Sequence, residues 1–199
     1  MTHRLHLEKD KKLKRVLQQQ EPVELRRRKH IYLYLCASIM SQQLSTKVAQ
    51  VIYQRFLALY GKKVPSAQQI LDTPFETLRG IGLSNAKANY VLNVCRFFME
   101  QKLTDARLYR MTDEEVVATL TQIKGVGKWT AEMILMFGLQ HEDVFPADDL
   151  GIQQSMMKLY KLNAASKKEL LAQMHKVAEQ WRPFRTYACL YLWRWKDGG

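Results

Sequence analysis

The sequence predicts an all-α protein, and three observations favour this fold class. Four segments pair a serine or threonine with a glutamine or glutamate three residues later, the capping-box pattern that begins a helix. No segment alternates steadily between apolar and polar residues, as a half-buried strand would. Apolar residues make up 47% of the 199 residues, enough to form a buried core. The four capping boxes are Ser66–Gln69, Thr73–Glu76, Thr112–Glu115 and Ser166–Glu169.

Apolar periodicity between these signals predicts eleven helices joined by short loops. Because no connecting segment is long enough to be a flexible linker, we expect lobes that pack together rather than separate domains. The predicted helices cover residues 8–18, 30–42, 45–60, 66–71, 74–79, 84–101, 113–122, 128–138, 150–160, 166–181 and 184–195.

The chain is strongly basic, with a formal net charge of +12 at pH 7. Residues 1–30 contain ten Lys and Arg against four Asp and Glu, so half of the excess lies in this segment. Such an excess favours a polyanionic partner, nucleic acid before an anionic membrane surface. A solvated basic face without a partner is the alternative.

The three cysteines, Cys36, Cys95 and Cys189, are far apart in sequence and lie in apolar segments. They form no Cys-x-x-Cys pair, so we expect buried free thiols in a reducing compartment. The apolar run at residues 31–40 is too short to cross a bilayer, and the N-terminus lacks the apolar core of a signal peptide. We therefore expect an intracellular protein of the cytoplasm, nucleoid or nucleus with no membrane partner.

The most informative segment is Ile123-Lys124-Gly125-Val126-Gly127-Lys128-Trp129-Thr130, which lies between two predicted helices. Glycine adopts left-handed conformations at no steric cost, so the two glycines permit a tight turn. The first amides of the next helix, together with the positive end of its dipole, then form a phosphate-binding position beside Lys124 and Lys128. The carbonyls of such a turn also converge. We expect a monovalent cation site at the carbonyls of Thr121, Ile123 and Val126.

Two adjacent carboxylates, Asp148 and Asp149, follow this turn by about twenty residues and precede a predicted helix. The ordinary interpretation is a helix N-cap. The functional interpretation is an anion that the helix dipole keeps ionised, able to stabilise a sugar cation or to activate water. The two residues taken alone leave both interpretations open.

Two further groups of residues have a structural and a functional interpretation. Ser41-Gln42-Gln43-Leu44-Ser45 joins two apolar helices. It is either a turn with Ser45 as N-cap or a probe that enters the space left by an extruded base, with Leu44 as a wedge. Aromatic residues follow the glycine turn and crowd the C-terminus. Most of them belong to the core, while one or two can stack on a flat base.

Together these residues resemble the helix-hairpin-helix DNA glycosylase superfamily, and within it the 3-methyladenine DNA glycosylase II family. The likeness runs over residues 31–195, with its landmarks in the family's order. These are Ser41-Gln42-Gln43-Leu44-Ser45, Gly80-Ile81-Gly82 with Lys87, Gly125-Val126-Gly127-Lys128-Trp129-Thr130-Ala131, Val144-Phe145-Pro146-Ala147-Asp148-Asp149 with Ile152, and Trp181-Arg182-Pro183-Phe184-Arg185-Thr186-Tyr187-Ala188 followed by Leu192-Trp193.

The resemblance implies two helical lobes with an active-site cleft between them. Residues 1–35 with 146–199 would form the terminal lobe, and residues 36–145 the central lobe, with the helix-hairpin-helix at about 113–138. The resemblance also implies that Asp149 is the catalytic carboxylate and that Asp148 orients or caps. The implied base pocket consists of Trp129, Met133 and Trp193. The implied DNA-binding residues are Gln42, Gln43, Leu44, Ser45, Lys124, Gly125, Val126, Gly127, Lys128 and Thr130.

Two departures from the superfamily limit the chemistry. Bifunctional members carry a nucleophilic lysine two residues after the second glycine of the hairpin, where this chain has Trp129. Without that amine no Schiff base forms, so we expect no strand-cleaving lyase activity. Members with an iron–sulfur cluster need four cysteines after the catalytic aspartate, and only Cys189 follows Asp149. We therefore expect no cluster and no organic cofactor.

The resulting prediction is a monomeric, monofunctional glycosylase of base excision repair. It would flip alkylated purines of the 3-methyladenine and 7-methylguanine type out of double-stranded DNA and hydrolyse their N-glycosidic bonds. One alternative is a glycosylase for uracil, mismatched, oxidised or ethenylated bases. Another is a protein that binds damaged DNA without catalysis.

Overall fold

The structure, a computed structural model, describes residues 2–198, and within them all regular structure is helical. The all-α prediction is confirmed. The α-helices are α1 (Thr2–Leu7), α2 (Lys11–Gln18), α3 (Ile31–Ser41), α4 (Thr46–Ala58), α5 (Ala67–Leu71), α6 (Phe75–Gly80), α7 (Asn85–Glu100), α8 (Asp105–Leu108), α9 (Asp113–Leu120), α10 (Lys128–Met133), α11 (Leu150–Tyr160), α12 (Lys167–Ala178) and α13 (Arg185–Gly198). A π-helical turn covers Ile134–Gly138, and a 3-10 turn covers Glu179–Trp181.

Two helices were not predicted from the sequence, and one predicted helix begins later than expected. The helices α1 and α8 have only six and four residues, which is too few for apolar periodicity to reveal. The predicted helix 8–18 begins at Lys11, because the carboxylate of Asp10 caps it. Across residues 2–198, no helix combines the length and apolar composition that a membrane span requires.

Two of the four predicted capping boxes form in full, those of Ser66–Gln69 and Thr112–Glu115. The prediction at Thr73 is wrong, because its hydroxyl donates to the carbonyl of Gln69 at 2.8 Å and α6 begins after Pro74. Only one of the two hydrogen bonds of the predicted capping box forms at Ser166. Its side chain accepts the amide of Glu169, whereas the Glu169 carboxylate accepts the amide of Ala165.

The chain divides into two compact units. One holds Arg27–Ile134, and the other holds the residues up to Arg26 together with those from Leu135 onward. These limits differ from the lobe limits expected from the sequence, 35/36 and 145/146. The expected division and the cleft between the lobes remain predictions.

The unit Arg27–Ile134 is built around α7, against which α3 and α5 pack. Its core is mostly aliphatic, with Phe56 and Phe98 also buried. It includes a contact between the buried thiols of Cys36 and Cys95, whose Sγ atoms lie 4.0 Å apart. All three cysteines of the chain are buried, as expected. Burial raises the pKa of the Cys36 thiol, which keeps it protonated and unreactive.

The other unit packs α13 against α11 and α2, with Trp181 and Tyr191 fully buried. Asp10 connects its N-terminal helices to the rest. Its Oδ1 accepts the amides of Lys12 and Leu13, and its Oδ2 accepts the hydroxyl of Tyr160 at 2.6 Å and the indole N–H of Trp181 at 3.0 Å. This buried carboxylate therefore fixes part of the basic N-terminal segment to the core of its unit.

Candidate functional site

Asp149 is held in a defined position at the start of α11. It is the N-cap residue, and its Oδ1 accepts the amide of Ile152 at 2.9 Å. The same oxygen accepts the indole N–H of Trp193 at 2.8 Å. The structure thus brings two predicted site residues together across 44 positions of sequence. The capping and functional interpretations of this aspartate are compatible, because one carboxylate oxygen serves as the cap.

The indole of Trp193 also stacks on Phe137, with ring centroids 5.9 Å apart and planes inclined by 30°. Phe137 lies in the π-helical turn that continues α10, and π-helical turns are common at functional sites. The indole of Trp193 thus contacts both the Phe137 ring and the Asp149 carboxylate. Phe137 was not predicted from the sequence, because no local pattern distinguishes an aromatic residue next to the site from one in the core.

Gly151 makes the contact between Asp149 and Trp193 possible. A Cβ at this position would lie 2.9 Å from Cδ1 and 3.0 Å from Nε1 of Trp193, and 3.0 Å from Oδ1 of Asp149. These distances are shorter than ordinary van der Waals contacts. A glycine in the first turn of a helix costs helical stability, so Gly151 was a sequence signal for close packing at this position that the prediction did not use.

The segment that leads to Asp149 is fixed at both ends by helices of its own unit. Arg185 at the start of α13 donates from Nε to Oδ1 of Asp143 at 2.7 Å and from Nη2 to the Asp143 carbonyl at 2.7 Å. At the other end, the buried Gln153 donates to the carbonyl of Ala147 at 2.8 Å. These contacts order the loop before the catalytic candidate.

Asp148 differs from its neighbour in environment. It is exposed, and its carboxylate lies 2.9 Å from the ammonium of Lys167. Of the two roles expected of Asp148, the capping role is wrong, since Asp149 occupies the N-cap position, and the orienting role stays a prediction. The two carboxylates are therefore not interchangeable, and Asp148 offers a matched control for Asp149.

The glycine turn lies in the other unit, between α9 and α10. Gly125 has a φ of +105°, and a Cβ there would fall within the ring of Tyr90, so the residue must be glycine on both counts. Gly127 is the N-cap of α10, and it has no side chain to accept the first amides of the helix. Lys124 and Lys128 are exposed beside this turn. The Nζ atom of Lys128 lies 3.6 Å from Oε1 of the buried Glu132.

The earlier turn between α6 and α7 also contains a glycine with a positive φ, but its helix has a different cap. Gly82 has a φ of +107°, and two residues later Ser84 caps α7 with its side chain. By this φ and by the spacing to the N-cap residue, Gly82 corresponds to Gly125. The serine hydroxyl occupies the position where a phosphate would meet the helix amides, which favours a structural role for this turn.

Other predicted site residues of this unit vary in their exposure. Trp129 is 42% exposed, whereas Met133, four residues later on α10, is 7% exposed. The side chain of Thr130 is buried by α10 to 3% exposure, so it is not available for the DNA contact predicted at this residue. The Val126 side chain is buried as well, and its amide donates to the Ile123 carbonyl at 2.9 Å. Only backbone atoms remain for a contact at these two positions.

Residues 41–45 form a tight bend between α3 and α4 in the same unit. The amide of Leu44 donates to the Ser41 carbonyl at 3.1 Å, and Gln43 adopts a left-handed φ of +58°. Ser45 is the N-cap of α4, as one interpretation of the sequence predicted. Gln43 and Leu44 are exposed at the tip of the bend.

Comparison with known proteins places these features in a family. The model of the HhH-GPD superfamily of base excision DNA repair proteins matches residues 36–180. A protein of Bacillus subtilis named putative DNA-3-methyladenine glycosylase is 31% identical over 170 residues, which cover 82% of this chain and 58% of that protein. DNA-3-methyladenine glycosylase 1 of Schizosaccharomyces pombe is 34% identical over 186 residues, which cover 92% of this chain and 80% of that protein.

A solved structure shares the fold over nearly the whole chain. The Schizosaccharomyces pombe 3-methyladenine DNA glycosylase in complex with abasic DNA superimposes with a TM-score of 0.84 at 32% identity, covering 98% of this chain and 96% of that one. The superfamily identified from the sequence is confirmed. This chain belongs to the HhH-GPD superfamily of base excision DNA repair proteins.

Proposed function

We propose that this chain is a DNA glycosylase that releases alkylated purines from double-stranded DNA by hydrolysis. The observation that carries the proposal is the Asp149 carboxylate, which is held by the Ile152 amide and by the indole of Trp193. The family and the names of the relatives at 31% and 34% identity support it. The chain spans 58% of the length of the first of these relatives, so its activity is inferred from its own site.

The proposed reaction breaks the bond between C1′ of the deoxyribose and the purine nitrogen. The bonding electrons leave with the base, and C1′ develops positive charge that an adjacent carboxylate stabilises. Water then adds to C1′, and Asp149 accepts the proton that water loses. The fixed position of the carboxylate favours this role, because no reorganisation is needed as the charge develops.

Alkylated purines suit this chemistry better than neutral bases do. A purine methylated at N3 or N7 is cationic and leaves as a neutral base, so it needs no strong general acid. The faces of Trp193 and Phe137 would attract such a cation by about 0.5–2 kcal/mol. An attraction of this size favours binding of a cationic purine over a neutral one by roughly tenfold. Most selectivity would therefore come from the weakened glycosidic bond and from easier extrusion of the base. Trp129 and Met133 remain predicted pocket residues.

The DNA would be held by the glycine turn and by the bend at residues 41–45. The uncapped start of α10 offers amides to a phosphate, and Lys124 and Lys128 add charge. Gln42, Gln43 or Leu44 would enter the duplex as the damaged nucleotide leaves it. The S. pombe structure with abasic DNA supports a DNA substrate for this fold. We propose that the protein acts as a monomer.

The turn also offers a position for the expected monovalent cation. The carbonyls of Thr121, Ile123 and Val126 follow the C-terminus of α9, where helix carbonyls lack intrahelical partners. The Ile123 carbonyl accepts one amide and retains a second lone pair, so these donors fit a cation. A cation there would stabilise the turn and add positive charge near a phosphate. No step of the hydrolysis depends on it.

The deciding experiment compares Asp149→Asn with Asp148→Asn. Asparagine remains a good N-cap and retains an oxygen that can accept the Trp193 indole, so the first variant removes the charge while preserving the fold. We expect Asp149→Asn to abolish abasic-site formation in oligonucleotides carrying 7-methylguanine. We expect Asp148→Asn to remain active, and both variants to bind abasic DNA like the unaltered protein.

Four outcomes would contradict the proposal. Full activity of Asp149→Asn would remove this carboxylate from the mechanism. Tight binding without base release by the unaltered protein would indicate a damage-binding protein, and release from uracil or oxidised bases alone would indicate another substrate class. Borohydride trapping of a covalent DNA complex would contradict the absence of lyase chemistry at Trp129.

A further inference from the structure

Lys87 occupies an unfavourable position that needs an explanation. It lies in the first turn of α7, three residues after the N-cap Ser84. A positive charge at the N-terminus of a helix opposes the helix dipole. The side chain is also partly buried, and desolvation lowers the pKa of its ammonium. Both effects work against a lysine here unless another group compensates.

The compensation comes from the C-terminus of α3. The Nζ atom of Lys87 donates to the carbonyl of Met40 at 2.9 Å and to the carbonyl of Gln42 at 2.6 Å. The last carbonyls of a helix lack intrahelical partners, and the negative end of the dipole attracts a cation. Lys87 therefore caps the C-terminus of α3, although it is distant from α3 in sequence.

The two accepting carbonyls lie at and just before the tight bend of residues 41–45. After Gln42, the chain reverses direction at Gln43, which adopts a left-handed conformation. A hydrogen bond from the Leu44 amide to the Ser41 carbonyl closes the bend. A non-glycine residue with a positive φ carries a conformational cost that its surroundings must offset. Fixing the Gln42 carbonyl limits the backbone freedom on the side where the bend begins.

We propose that Lys87 is a positioning residue that holds the bend of residues 41–45 in the conformation that enters DNA. This inference rests on the proposed function, because it assumes that Gln43 and Leu44 contact the duplex. Lys87 would act through the bend and would touch neither the DNA nor the reacting atoms. A preformed bend loses less conformational freedom on binding, which raises affinity for DNA without changing the chemical step.

The competing interpretation is that Lys87 contacts a phosphate directly, and salt dependence separates the two. Removing a phosphate contact lowers the slope of log Kd against log salt by about 0.9. Removing a positioning contact weakens binding and leaves that slope unchanged. The test uses Lys87→Met, which keeps the length of the side chain, and Lys63→Met as a control that removes one exposed charge beyond the far end of α4.

For Lys87→Met we expect about a tenfold rise in Kd for abasic DNA, which corresponds to the loss of one charge-assisted hydrogen bond. The salt slope and the single-turnover rate of base release should be unchanged. Lys63→Met should leave Kd within about twofold. In a variant that also carries Gln43→Ala and Leu44→Ala, Lys87→Met should cause no further loss, because the bend then presents nothing to DNA. An unchanged Kd, a smaller salt slope or full additivity would overturn the proposal.

A measurement without DNA keeps the proposal testable if the variant binds poorly for other reasons. Amide hydrogen exchange at Leu44 should be at least about tenfold faster in Lys87→Met than in the unaltered protein, while exchange in the middle of α7 is unchanged. Lys87→Arg, which retains a cationic donor, should restore slow exchange in part. Equal exchange at Leu44 in all variants would refute the capping role. This readout is independent of base release, so failure of the proposed function would be recognised separately.

Discussion

Substitution of Gly151 by alanine tests the contact between Asp149 and Trp193 without removing either side chain. The added Cβ would lie 2.9 Å from the indole Cδ1 and 3.0 Å from the carboxylate Oδ1. Ordinary contacts lie at about 3.5–4.0 Å, so the indole and the carboxylate must each move away from the new Cβ by roughly 0.5–1 Å. Because the Cβ presses on both groups, we expect this movement to lengthen or misalign the 2.8 Å hydrogen bond between them.

Loss of a hydrogen bond to a charged group costs about 1.5–3 kcal/mol. If that energy stabilises the transition state, base release slows by roughly tenfold to a hundredfold. Alanine in place of a helical glycine adds about 0.5–1 kcal/mol of helix stability, so a slower enzyme need not be a less stable one.

The assay is single-turnover release of 7-methylguanine, with thermal unfolding and abasic-DNA affinity measured in parallel. Gly80→Ala is the control, because a Cβ there meets no atom within 4 Å. Gly151→Ala should cause little further loss in a Trp193→Phe background, in which the indole donor is already absent. A wild-type rate for Gly151→Ala at unchanged stability would refute the reasoning.

Three further predictions concern stability and reactivity. Asp10→Ala should lower the free energy of unfolding by about 4 kcal/mol in urea, because it removes the helix N-cap and leaves a partly buried hydroxyl and a buried indole N–H without their acceptor; a loss under about 1 kcal/mol would contradict this. Gly125→Ala should lower the Tm and weaken DNA binding, since its Cβ would overlap the ring of Tyr90 at a positive φ; an unchanged Tm would contradict this. A thiol reagent should modify Cys36 and Cys95 only at the rate of unfolding, because both are buried and the pKa of Cys36 is raised.

Local sequence rules predicted the helices and several of their caps, because these depend on interactions within a few residues. The capping hydrogen bonds at Ser66 and Thr112 link residues three positions apart, so both partners can be identified from the sequence. The same rules failed at Thr73, where the hydroxyl had a competing acceptor in the Gln69 carbonyl. They also missed α1 and α8, which are too short for periodicity to be visible.

The sequence by itself determined the fold class and the family, and it singled out Asp149 as the candidate carboxylate, because glycine spacing, capping residues and ordered motifs are all local features. Only the tertiary structure decided what surrounds that aspartate. The indole of Trp193, the ring of Phe137 and the space left by Gly151 meet at Asp149 through packing between distant segments. The bond from Lys87 to α3 is of the same kind, since its partners lie more than forty residues away. Which distant groups meet depends on how the helices pack, and no local pattern records that.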